Sequence, residues 1–287
     1  MVASGTSARV AYKLESTHGV TPAGNFTVQR AISRNINLKK DTLESQETSP
    51  SRQRSDVRHG FRKVEGEIQV ELSIETHNDW LLLSTGTNAW FAATSVVGTT
   101  LSVTGTDTFT RGTGNWLDDQ YRPGDWITTT CFPNAANNGS FRATIVTATA
   151  MTVSGTLVNE AGDADSTVAY TGKKTVVSNV GQALKTMSVE REIVDLDAAG
   201  NDLYQIYRGV AVNQLQVAAR PDAMLLATFR LLGMTGDIDQ TAPLASYDAA
   251  PTNSPLASID GTFYNGLFSF DATALEFTID NQRTGLP

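Results

Sequence analysis

The chain of 287 residues carries 30 Asp and Glu against 22 Lys and Arg, a net charge of −8, with 40% hydrophobic and only 18% charged residues. The acidic balance argues against tight nucleic-acid binding, which needs cations to displace phosphate counterions. A single cysteine, Cys131, excludes an internal disulfide and any zinc site built from several cysteines.

Ser, Thr, Ala and Gly fill the gap left by charge, a mix that suits short strands and turns. The first ten residues lack the basic and apolar regions of a signal peptide. No stretch approaches ~18 apolar residues, the length a spanning helix needs. The expectation is synthesis in the cytoplasm with no membrane association.

Residues 1–27 read as an irregular arm, broken by Gly5, Gly19, Pro22 and Gly24. Alternation starts at Val28, with Val28, Arg30, Ile32, Arg34 and Ile36 on one side and Ser33, Asn35 and Asn37 on the other. A partly buried strand is expected there. The stretch 39–59 is polar and without period, a loop of ~20 residues that ought to be functional or mobile.

Residues 64–75 then alternate without a fault. Val64, Gly66, Ile68, Val70, Leu72 and Ile74 share one face; Glu65, Glu67, Gln69, Glu71, Ser73 and Glu75 share the other. Period two predicts a strand between core and water. At ~3.3 Å per residue it spans ~40 Å, about twice a typical strand. A short helix follows, with Asn78 or Asp79 capping Trp80-Leu81-Leu82-Leu83 and Gly86 ending it.

Composition shifts near Trp90. To about Thr175 the chain is rich in Thr, Gly, Ser and Ala, with strand-length pieces between turns such as Arg122-Pro-Gly-Asp and Asn134 to Gly139. Residues 91–175 therefore read as a small β domain inserted between two parts, 1–90 and 176–287, of one larger domain. Strands are expected at 187–194, 204–217, 223–232 and 274–280, with 195–202 as a hairpin loop. Sliding the chain by 143 residues sets Gly66 on Gly209, Leu72 on Leu215, Asp79 on Asp222 and Leu82 on Leu225. Either a β unit is duplicated or two alternating strands agree by chance.

Motifs for chemistry are missing from the sequence: no phosphate-binding loop, nucleophile elbow, His-Glu-x-x-His or Cys-x-x-Cys. No catalytic residue, metal or cofactor is assigned. His18, His59 and His77 are scattered, and His77 is expected at the surface or capping the helix. The acids of 195–202 suit a turn better than a calcium loop, because Ala199 stands where a ligand is required. Cys131 is expected buried, and Trp90, Trp116 and Trp126 are expected in a core instead of serving as sugar platforms. Glu65, Glu67 and Glu71 form a row, not a pocket, so a solvated face is preferred to paired catalytic carboxylates. Arg52, Arg54, Arg58, Arg62 and Lys63 cluster near the polar loop with only Phe61 among them. Nucleic-acid sites interleave more aromatics, so pairing with acidic groups of a neighbouring subunit is expected.

Taken together, Gly19-Val-Thr-Pro22, the polar loop with Glu44 and Ser45, Asp56-Val-Arg58-His-Gly60, Val64-Glu-Gly66 with its alternating strand, and Asp79-Trp-Leu-Leu-Leu resemble the tail tube proteins of long-tailed bacteriophages. Met187-Ser-Val-Glu190, Tyr207-Arg-Gly-Val210 and Leu275-Glu-Phe-Thr-Ile-Asp-Asn281 extend the resemblance over nearly the whole chain. It implies a mainly β fold: a tube β-sandwich or barrel with a short flanking α-helix, long strands joining an inter-subunit barrel, and an inserted small β domain. It further implies a non-enzymatic virion subunit in homo-hexameric stacked rings, or trimers carrying two tube units per chain. Its partners would be the tape measure, terminator and distal tail proteins, with genomic DNA passing through the lumen without specific binding. On this resemblance the lumen-facing residues are Glu65, Glu67, Gln69, Glu71, Ser73 and Glu75. Inter-ring contacts fall to Glu44, Glu47, Arg52, Arg54 and Arg58 in the loop 40–60. The second lumen strand, at the repeat offset, would present Val210, Val212, Gln214 and Gln216. Other ring components, such as a baseplate or terminator protein, and a carbohydrate-binding β protein are the competing readings.

Overall fold

The computed structural model describes residues 8–44, 57–87, 89–91, 94–174, 185–194, 202–239, 246–258, 263–265, 268–270 and 274–283. In chain order its elements are β1 (Arg9–Leu14), β2 (Phe26–Val28), β3 (Ser33–Glu44), β4 (Val57–Glu71), α1 (Asn78–Ser84), β5 (Ser95–Val97), β6 (Leu101–Thr104), β7 (Thr108–Arg111), β8 (Trp126–Thr130), β9 (Gly139–Val146) and β10 (Ala150–Ser154). There follow β11 (Glu160–Ala161), β12 (Thr167–Thr171), β13 (Met187–Ile193), β14 (Leu203–Ala219), β15 (Leu226–Gly233), β16 (Thr235–Asp239), β17 (Tyr247–Asp248), β18 (Phe263–Asn265), β19 (Phe268–Phe270) and β20 (Leu275–Asp280). The chain forms two compact units. One is Met1–Ala89 with Val177–Gly261 and Thr273–Pro287; the other is Trp90–Val176 with Thr262–Ala272.

The first unit is organised by β14, whose 17 residues serve two sheets. Its first half pairs with β13 and β16, its second half with β15 and β20. One layer therefore runs β17-β2-β1-β13-β14-β16, the other β20-β14-β15-β4-β3. The corner between them is Gly209, at φ 64°, where a Cβ would lie 3.0 Å from His18 and from Met234. 

Gly19, at φ 73°, faces the same corner: a Cβ there would lie 2.8 Å from Met234. Both positions favour glycine because other residues are strained at positive φ. The buried carboxylate of Glu15 ties them together. It accepts the backbone N–H of Gly19 at 2.8 Å and of Gly209 at 2.9 Å, with the hydroxyls of Thr186 and Ser188 at 2.6 and 2.7 Å. Charge-assisted bonds of this kind compensate the burial of a carboxylate.

Between the layers lie Ile36, Ile68, Val70, Val189, Val210, Leu215 and Phe229, all buried. α1 has only seven residues, too few to stand alone. It is held by Trp80, whose ring meets Tyr12 at 5.1 Å and Phe229 at 5.5 Å. Gly86, at φ 72°, lets the chain leave the helix.

Four expectations about this unit need correction. The arm 1–27 contains β1, paired along its length with β13, with Val10, Ala11 and Tyr12 buried. The alternation from Val28 is broken: β2 ends at Val28, β3 starts at Ser33, and Ile32 between them is exposed. The two ends of the stretch 39–59 are strand, since β3 runs on to Glu44 and β4 begins at Val57, with those two residues paired, while 45–56 lie outside the described residues. Both faces of this ribbon meet solvent, so no hydrophobic period marks it. The strand expected over 64–75 stops at Glu71. Ser73 is buried and bridges Pro255, Ile74 is exposed, and Glu75 turns at φ 63°. Leu72 has left the ladder to pair with Leu225 and Leu256.

The offset of 143 residues does not survive either. Asp79 and Leu82 lie in α1, whereas Asp222 is in a turn at φ 51° and Leu225 enters β15. Ile193 pairs with Leu203, so β13 and β14 form the expected hairpin, although 195–201 lie outside the described residues.

In the second unit an eight-stranded sheet has the order β11-β6-β7-β10-β9-β8-β12-β5, and β18 pairs with β19. Its core holds Phe109, Trp116, Tyr121, Ile127, Phe132 and Met151. Trp116 is a core residue, as expected, with the Arg111 guanidinium 4.8 Å from its ring. Trp126 is 48% exposed, against expectation. Cys131 is also exposed: at φ 61° it turns outward just past β8, and Phe132 fills the core instead.

Candidate functional site

The layer β20-β14-β15-β4-β3 has one face on the core and one face in solvent. Antiparallel register aligns the solvent face into rows. One row reads Asn35, Glu67, Arg230, Gln214, Asp280; the next reads Ser33, Gln69, Thr228, Gln216, Thr278. A third carries Glu71, Leu226, Ala218 and Glu276. Glu65, Glu67, Gln69 and Glu71 thus share one face, as alternation requires. Ser73 and Glu75 do not join them, because β4 has ended.

Side chains on this face bond across strands. Gln216 donates to Glu276 at 2.5 Å and Gln214 to Asp280 at 3.5 Å. Arg230 stands 4.0 Å from Glu67. Glu65 lies between Lys39 at 2.7 Å and Lys63 at 2.8 Å. Hydrogen bonds from Lys39 and then Lys63 hold its carboxyl below the ordinary carboxylate range. The acidic character of the face therefore rests on Glu67, Glu71, Glu276 and Asp280, tempered by Arg230.

The expectation for β14 is half corrected. Gln214 and Gln216 lie on the polar face, but Val210 and Val212 are buried. A bulge causes the switch: Val212 faces Leu231 while Gln214 faces Arg230, leaving Asn213 unmatched. Asn281 secures the bulge, donating its backbone N–H to the Asn213 carbonyl at 2.9 Å and its side-chain amide to the Val212 carbonyl at 3.1 Å. Sequence reading missed the β15 and β20 members, Thr228, Arg230, Glu276, Thr278 and Asp280. The alternation of 275–280 was the available signal.

A shallow cleft of about 240 Å³ on this face is lined by Gln69, Gln216, Ala218, Arg220, Leu226, Thr228 and Glu276. Its amides, hydroxyl and single carboxylate assemble no nucleophile with a base. Among the described residues no three His, Cys, Asp or Glu are grouped to hold a metal, and no helix is long and apolar enough to cross a membrane.

Beyond the Val64–Gly233 pair, β4 is paired with β3 alone among the described residues. The resulting two-stranded arm carries Lys39, Lys40, Arg58, Arg62 and Lys63 with Asp41 and Glu44. Leu43 is 62% and Phe61 89% exposed. Of the expected contact residues, Glu44 and Arg58 are exposed on this arm. Glu47, Arg52 and Arg54 lie outside the described residues.

A search of curated proteins finds no match. The family model described as phage tail tube protein matches residues 5–287. Given that span and a mainly β architecture with one described helix, the chain belongs to the phage tail tube protein family, structural components of the virion tail.

Proposed function

We propose that copies of this chain close into rings and that the rings stack into a tube conducting DNA out of the capsid. The carrying observation is the polar face of β20-β14-β15-β4-β3, continuous across five strands and backed by the core. Among the described residues, β3 and β20 each pair on one side only. Open edges invite pairing with another chain, and closure into a ring removes them. Six copies per ring is the arrangement we favour, with three as the alternative.

In such a ring the polar face lines the channel. Glu67, Glu71, Glu276 and Asp280 would repel phosphate within a Debye length of ~8 Å. That range keeps DNA from adhering without steering it from afar. The β3–β4 arm, with Glu44 and Arg58 on it and Glu47, Arg52 and Arg54 in its connection, serves ring-to-ring contact. Tape measure, terminator and distal tail proteins complete the partners, and residues 91–175 form an accessory domain inserted in the tube domain. The chain is made in the host cytoplasm and assembled into the tail.

Negative-stain electron microscopy of the purified protein at high concentration tests this. Stacked rings or tubes are expected. A strictly monomeric protein would overturn the proposal, and single rings that never stack would favour a baseplate or terminator role.

A further inference from the structure

The two ends of β4 carry an exposed aromatic ring and a cleft. At one end is the two-stranded arm, where Phe61 is 89% exposed. At the other is a cleft of about 180 Å³ lined by Arg30, Ala31, Ile32 and Glu71. A cavity of ~150 Å³ is enough to take a benzene ring. Ile32, Ile74 and Met224, 55%, 64% and 44% exposed, add apolar surface at this end.

The charges are complementary. Along the arm Lys39, Lys40, Arg62 and Lys63 outnumber Asp41 and Glu65; at the cleft end Glu71, Glu75, Asp222 and Glu276 outnumber Arg30 and Arg220. The Arg30 guanidinium is fixed by the carbonyls of Pro251 at 3.2 Å and Asn253 at 2.6 Å. A guanidinium so held can lie against an aromatic face. Phe61 and Glu71 lie near opposite ends of β4, ~33 Å apart along the strand. Copies stacked along the strand direction therefore bring the end that carries Phe61 against the end that carries the cleft. An arm-to-arm contact would be two-fold and would close a dimer, whereas arm-to-cleft is head-to-tail and propagates.

We infer that Phe61 of one copy seats in the Arg30–Ile32–Glu71 cleft of a second copy, joining successive rings through an aromatic plug. The inference rests on the tube reading and names the receiving site within it. Two variants on a Cys131→Ser background test it, with the Cys131→Ser protein as reference. Phe61→Cys with Ile32→Cys, oxidised after assembly, should give a ladder of covalent multimers on denaturing gels. Phe61→Ala should keep rings and thermal midpoint but weaken ring-to-ring association by ~10-fold or more, as loss of a buried aromatic anchor does. Phe61→Trp should largely restore stacking. If the reference forms tubes while Phe61→Ala forms them equally well, or the double variant gives no ladder, the plug is wrong and the tube reading stands. Disulfide dimers from Phe61→Cys alone in assembled tubes would show arm-to-arm contact and also overturn it. A reference protein that forms no tubes overturns both.

Discussion

His77 precedes α1 and is 1% exposed. Its Nδ1 lies 3.0 Å from Gln29 Nε2, which can only donate, so Nδ1 accepts and Nε2 carries the proton. That proton points at the Glu71 carbonyl, 3.1 Å away. Burial pushes the pKa below 6.5, opposed by the bond to Glu71 and aided by the charge of Arg30. A depressed folded-state pKa means that the unfolded chain binds the proton more readily. The contribution to stability is therefore present above pH 6.5 and lost as pH falls toward the folded value. Imidazole NMR of the folded protein should show a neutral Nε2–H ring at pH 6.5, with charging only at lower pH. A ring half-protonated at or above 6.5 would contradict this assignment. Sequence reading put His77 at the surface or capping the helix; it holds the cap position without a side-chain cap bond, and it is buried beside its partner Gln29, 48 residues away. No local pattern encodes that meeting.

At the scale of elements, strands with one buried face were legible. Residues 64–71, 187–193, 203–219 and 275–280 advertise themselves because one side meets a core. The arm was not legible, since backbone pairing makes it a ribbon and both its faces meet solvent. The opposite error arose at Leu72 and Ile74, where the alternation continues after pairing with Leu225 and Leu256 has drawn the chain off the ladder. Gly66 marks where the arm joins the sheet. A Cβ there would lie 2.0 Å from the Asn35 carbonyl oxygen and 2.6 Å from the Ile36 Cα. Both are backbone atoms of β3, so Gly66→Ala must push β3 away from β4. The cost should be ~1–3 kcal/mol, as for other overpacked sites, read as a lower denaturant midpoint. An unchanged midpoint would mean that β3 is held less closely than its register with β4 indicates.

For the whole molecule, half of the candidate site could be read in advance. Glu65, Glu67, Gln69 and Glu71 follow from period two, and Gln214 and Gln216 lie on the same polar face. Val210 and Val212 did not, because the bulge at Asn213 reverses the face and depends on Asn281, far along the chain. The lysines beside Glu65 were equally hidden, since Lys39 is a cross-strand neighbour. The proposed lumen is therefore less acidic than a bare row of glutamates, and its neutral row is the sensitive place to alter it. Gln69, Gln216 and Thr278 lie in that row. Replacing all three with Lys adds three positive charges per copy to a face with four unneutralised or partly neutralised carboxylates. Wild-type tubes should not retain duplex DNA at physiological salt, while tubes of the triple variant should retain it and release it steeply as salt rises, the signature of phosphate neutralisation. Tubes must be confirmed by microscopy in both samples, so that lost assembly is not taken for lost binding. Tight DNA retention by the wild type, or none by well-formed variant tubes, would place this face somewhere other than the channel wall.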